Sequence, residues 1–382
     1  MTFLKNLTVS LFSFLLFLSL TVFGLAFTVR STALNPDFIS DQLNRLEIAA
    51  TVKDLVQVEP PPEIPDLNEL INKTISDIEP KFKEQSGFAI HSVYAYLTGE
   101  SRTPDLKSIL RKTYLSSDFV TPLVNSIDVS PLAGPFISRQ FAEAIPVKIA
   151  NLEKYVTDAL AESEPVIKQE VIAVSRPVFD YLLGESPTLR VSVSLGPAKE
   201  NLTRILLNSP PPELAAIPRS MRQELSALIP STYPLDESVI GQKVPANISQ
   251  GIANAEDKLI QARKYVAMFQ QYYTLLLVLI VALALGIILI IRNVKDIAHR
   301  LGIPLLTYGA MEYAGVWVTR YLISSGRMQF PEISPQLQTW LLQLIDSSLK
   351  PLETFSLTLL VAGAVLTVVS FVYKPKQDLK WS

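Results

Sequence analysis

The chain has 382 residues, of which 48% are hydrophobic and only 18% charged, with a formal net charge of −2. So apolar a composition excludes an ordinary soluble domain and points to a membrane protein. The absence of cysteine excludes disulfides, thiolate nucleophiles and cysteine-ligated zinc or iron–sulfur clusters.

Residues 7–29, LTVSLFSFLLFLSLTVFGLAFTV, carry no charge and cover the roughly 20 apolar residues a helix needs to cross a bilayer. Signal-peptide cores are shorter, and GLA at 24–26 is a poor cleavage site, so residues 1–29 read as an uncleaved transmembrane anchor.

The charged residues crowd into the region that follows, and that region repeats. Residues 79–101, EPKFKEQSGFAIHSVYAYLTGES, align without a gap with 164–186, EPVIKQEVIAVSRPVFDYLLGES, and match at 9 of 23 positions. Glu79, Pro80, Lys83, Tyr96 and Gly99 recur as Glu164, Pro165, Lys168, Tyr181 and Gly184. Upstream, PDFISDQLNRLEI at 36–48 resembles SDFVTPLVNSIDV at 117–129. The spacing predicts a duplication, with repeat 1 over 30–114 and repeat 2 over 115–200.

Within each repeat the period is helical. Leu67, Leu70, Ile71, Ile75 and Ile78 share one face, as do Ile149, Leu152, Val156 and Leu160. Pro80 and Pro165 are expected to open new helices at their first turns. Gly99 and Gly184 are expected to end those helices as left-handed caps. TLRVSVSL at 188–195 alternates apolar and polar residues, a strand signature.

EPPPEIP at 59–65 and SPPPELAAIP at 209–218 suit extended connectors, the second within a Pro-rich connecting region over 201–246. A stalk helix follows at 247–271. Its stripe of Ile252, Ala255, Leu259, Ala262, Val266 and Phe269 finds a plausible partner in Ile39, Leu43, Leu46 and Ala50.

A three-helix transmembrane bundle is expected over 272–374, with spans at 272–291, 302–325 and 354–373, and a tail at 375–382. Arg292, Lys295 and Arg300 between spans, with Lys374, Lys376 and Lys380 in the tail, put those segments in the cytoplasm. Residues 30–271 and the loop 326–352 then lie outside. The expected fold is a mainly α membrane protein: four transmembrane helices with a duplicated, mostly helical extracytoplasmic domain containing minor β. The expected location is the cell membrane, multi-pass, with the C-terminus cytoplasmic. An outer domain without cysteine suits a prokaryotic cell envelope.

No phosphate-binding glycine loop, H-E-x-x-H, G-x-S-x-G or calcium loop occurs in the sequence. His91 and His299 fall on opposite sides of the expected membrane, which excludes a shared histidine metal site. Residues 30–271 carry about six net negative charges by count and no basic stripe, so nucleic-acid binding is not expected. No catalytic, cofactor-binding or metal-binding residue is assigned, no cofactor is implied, and the reading is non-enzymatic. Glu312 and Arg320 interrupt the span at 302–325 and form the candidate intramembrane polar site, because charges there are costly unless they pair or face a bundle interior.

The segments assigned to the cytoplasm leave no room for a signalling output domain. The expected role is therefore an envelope protein whose outer domain binds a protein, polymer or lipid. Expected partners are membrane lipid and a protein of the membrane or envelope, and self-association is compatible with the pattern. One span, a large outer domain and three further spans resemble in layout the permeases that couple an outer domain to a cytoplasmic ATPase. That likeness implies, as the alternative, a permease-like or transporter-associated subunit.

Overall fold

The computed structural model describes residues 2–55, 67–144, 151–208, 210, 215, 218–227, 231–237, 243–291, 293–328, 330 and 333–373. The proline-rich stretch 59–65, most of 209–218, Ile149, Arg292 and the basic tail lie outside the described residues. The fold is mainly helical, and the described residues include one two-stranded sheet. The chain divides into two compact units, one of Met1–Leu46, Tyr94–Arg102 and Gln261–Ser382, the other of Glu47–Val93 and Thr103–Ile260.

The first unit opens with α1 (Thr2–Ser31) and α2 (Pro36–Arg45). Asn35 separates them by capping α2, its side chain accepting from the N–H groups of Asp37 and Phe38, with Pro36 in the first turn. The unit also holds the end of α4 (Leu67–Thr98), most of α11 (Val244–Ile291), α12 (Val294–Ser324) and α13 (Pro335–Val372). Among the described residues three helices are long and apolar enough to cross a membrane: Leu7–Ser31, Val244–Ile291 and Pro335–Val372. The expected span 302–325 coincides with the C-terminal part of α12 and its cap, Ser325; Glu312 and Arg320 make α12 less apolar, and it is not among the three. Residues 335–352, expected as loop, form instead the first half of α13, because Pro335 opens a helix whose apolar period runs on unbroken.

Leu16 and Leu20 of α1 pack with Leu283 and Ile287 of α11 and Tyr308 of α12 in one buried cluster. α12 and α13 lie side by side on small residues. Gly302, Gly309 and Val316 recur at steps of seven, as do Ser356, Gly363 and Ser370, and all six are buried. A Cβ on Gly309 would sit 2.4 Å from the Leu360 backbone nitrogen, and one on Gly363 2.3 Å from that of Leu306. Only glycine allows so close an approach, the usual means by which helices associate where lipid removes the hydrophobic drive. The outward faces are apolar, with Leu289 73% and Phe371 74% exposed, which suits contact with hydrocarbon.

The second unit is centred on α8 (Leu152–Leu182), whose Val156, Ala159, Leu160 and Ile167 form a core with Leu206 of α9 (Gly196–Asn208). Val129 and Ala133 of α7 (Val129–Ala144) pack against it. Between α8 and α9 comes β1 (Arg190–Ser194), which pairs antiparallel with β2 (Thr232–Asp236), Val191 opposite Leu235 and Val193 opposite Tyr233. The unit also holds α3 (Ile48–Leu55), α5 (Leu106–Lys112), α6 (Ser117–Ser126) and α10 (Arg219–Ala227).

One expectation is corrected here. Pro80 and Pro165 do not open helices: each lies inside a continuous one, α4 or α8. An internal proline costs about 3 kcal/mol of helix stability, and packing on both sides of it, Val156 and Leu160 before Pro165 and Ile167 after, outweighs that cost. α2 bonds to α13, where the Trp340 indole donates to the Gln42 carbonyl at 2.9 Å, and on α11 Arg263 stacks over Tyr96 of α4.

Candidate functional site

Glu312 and Arg320 do not meet. Glu312 is half-buried on α12 and makes no hydrogen bond or ion pair with another described residue. Arg320, just over two turns on, reaches across to α13 instead. Its Nε lies 2.8 Å from Asp346 Oδ1 and its Nη1 2.7 Å from Glu353 Oε1. One planar guanidinium thus holds two carboxylates, a task for which its fixed fork is better suited than a lysine ammonium. These side chains are about a third exposed, so each pair contributes on the order of 1 kcal/mol at most.

Beside this triad is a pocket of about 280 Å³ whose polar lining comes from Arg45 on α2 and from Thr339, Gln343, Asp346, Ser347 and Lys350 on α13. Arg45 Nη1 donates to the Ser347 hydroxyl at 2.9 Å. Among the described residues neither Arg45 nor Lys350 is paired with a carboxylate. The pocket therefore carries two cations with unspent charge, and the one acid among its described lining residues, Asp346, is already held by Arg320. The stacked rings of Trp317 and Tyr321, both well exposed, flank Arg320 along α12.

Sequence reasoning found Arg320 and missed its surroundings. Asp346, Lys350 and Glu353 fall at steps of four and three, one helical face, but they precede the apolar run, where the hydropathy pattern alone implies a loop. Arg45 is separated from them by some 300 positions and carries no signal in a single sequence.

A second polar arrangement occurs in the other unit, in two places. Glu79 accepts from the N–H groups of Ile48 and Ala49, both at 3.1 Å, and so caps α3 from the side of α4. Glu164 accepts from the Val129 N–H at 3.2 Å and the Ser130 hydroxyl at 2.7 Å, capping α7 from α8. Each is paired four residues on, Glu79 with Lys83 at 2.6 Å and Glu164 with Lys168 at 2.7 Å. Burial opposes the charge of both carboxylates, but the lysine and the donors outweigh it and hold both pKa values below the ordinary 4.5.

Gly99 and Gly184 have φ of +94° and +71°. After the first, Ser101 N–H donates to the Ala95 carbonyl at 2.9 Å; after the second, Glu185 N–H donates to that of Asp180 at 2.8 Å. These bonds satisfy carbonyls a helix end would leave open. Glu185 also joins Asp180 in pairing with Arg111. No group of three or more histidine, aspartate or glutamate side chains suited to a metal ion occurs among the described residues.

Comparison of the chain with protein-family models, curated proteins and solved structures finds no match in any of the three.

Proposed function

We propose that this chain is a multi-pass membrane protein of the cell envelope, non-enzymatic, whose duplicated helical outer domain binds a protein, polymer or lipid partner while its helical bundle serves as anchor and docking surface. The observation that carries the reading is the division of labour between the units. Apolar helices with outward apolar faces make up one, and a helical core braced by carboxylate caps makes up the other. The duplication draws support from the geometry of Glu79 with Lys83 and of Glu164 with Lys168, since aligned residues make corresponding contacts to the start of a preceding helix. α12 is read as a fourth span because it packs along α13, itself apolar enough to cross. The basic residues Lys295 and Arg300 orient the bundle with the Arg320 end of the α12–α13 hairpin outside.

Affinity capture of the full chain from membranes solubilised in mild detergent tests the role. A stoichiometric envelope protein or polymer is expected, and recovery of a cytoplasmic ATPase would favour the permease-like alternative.

A further inference from the structure

We infer that the pocket between Arg45 and Lys350 binds a phosphate group, delivered by the headgroup of a phospholipid in the outer leaflet. Its volume of about 280 Å³ lies just under the usual range for drug-sized ligands and suits a small polar headgroup. Its lining matches an anion. Arg45 and Lys350 offer charge not spent on a carboxylate, and Thr339, Gln343 and Ser347 add neutral donors. A guanidinium is well shaped to hold two phosphate oxygens, and an ammonium supplies a point charge beside it.

Depth in the bilayer points to the source. Lys350 stands at the start of the apolar run of α13, and the Trp317–Tyr321 pair on α12 is an aromatic belt of the kind that sits at headgroup level. Arg320 contributes by occupying Asp346, which would otherwise neutralise one of the two cations. The inner leaflet is not involved, because the pocket opens at the hairpin end opposite Lys295 and Arg300.

The inference rests on the membrane reading above, and the two can fail separately. Full-length protein is delipidated in a detergent lacking phosphate and offered phosphatidylglycerol, or diacylglycerol with the same acyl chains, with binding read by native mass spectrometry and thermal shift. Phosphatidylglycerol is expected to bind about tenfold more tightly than diacylglycerol, the scale of one lost charge-assisted contact. Arg45→Gln with Lys350→Gln is expected to abolish that difference, whereas Lys264→Gln on α11 leaves it intact. Equal binding of the two lipids by the wild-type chain overturns the site without any variant having to fold. A thermal shift produced by inorganic phosphate alone overturns the lipid as the source. A chain extracted from membranes by carbonate overturns the membrane reading itself, whereas an integral chain without headgroup preference overturns only the pocket.

Discussion

Glu79 and Glu164, 85 positions apart, each reach from a long helix to the first turn of a shorter one and hold its unsatisfied donors. A carboxylate at a helix N-terminus is favoured both by the hydrogen bonds it accepts and by the positive end of the helix dipole. The lysine four residues on keeps it charged as it becomes buried.

The pH dependence follows in sign. Both carboxylates titrate below 4.5 in the folded state, so their contribution is full above the unfolded value and is lost as pH falls through the folded one. Chemical denaturation of the full chain should show stability declining below about pH 4.5. In Glu79→Gln with Glu164→Gln that decline should flatten, with a loss of about 1–2 kcal/mol per site at pH 7. An unchanged acid limb would remove these two residues as its cause.

Gly99→Ala and Gly184→Ala should each lower stability by about 1 kcal/mol, since a Cβ is strained at positive φ. Gly184→Asn should cost less than Gly184→Ala, because asparagine tolerates the left-handed region. Thermal melts that rank asparagine below alanine would contradict this.

Gly309→Ala should be harsher than an alanine at the exposed Gly315, although both positions are helical. The first would press a methyl group to 2.4 Å from a backbone nitrogen, and the second meets nothing within 4 Å. Overpacking of this kind costs about 1–3 kcal/mol, whereas Gly315→Ala should be neutral or slightly stabilising. Size-exclusion profiles and melts in detergent compare the two.

The absence of native cysteine gives a clean background for mapping topology. Arg327→Cys should react with a membrane-impermeant maleimide on intact cells, and His299→Cys only after permeabilisation. Equal labelling of both without permeabilisation would place α12 on one side of the membrane.

Much of the helical content was legible because it rests on periodicity and glycine. Val156 to Leu160 mark a buried face by spacing alone and Leu67 to Ile78 a half-buried one, and the alternation of Leu189, Val191 and Val193 announced β1, though not β2, whose Pro234 breaks the strand signal. The proline rule misled at Pro80 and Pro165 because local preference is a few kcal/mol and a packed helix on both sides can exceed it. The Arg320 site was half legible. A charged residue in an apolar run is conspicuous, but its partners Asp346 and Glu353 and its neighbour Arg45 are brought near by tertiary contact, which one sequence does not encode in its local pattern.

The seam between α12 and α13 also fixes how the two helices can slide. With backbone against backbone at Gly309 and Gly363, a shift of one residue would carry Leu306 or Leu360 into space that holds no side chain. The pairing therefore has one register, set by where three glycines fall, and the turn after Ser324 need only connect the helices. Arg320 meets Asp346 and Glu353 because the seam puts it there, so the alignment of the polar end is inherited from the smallest residues of the apolar one.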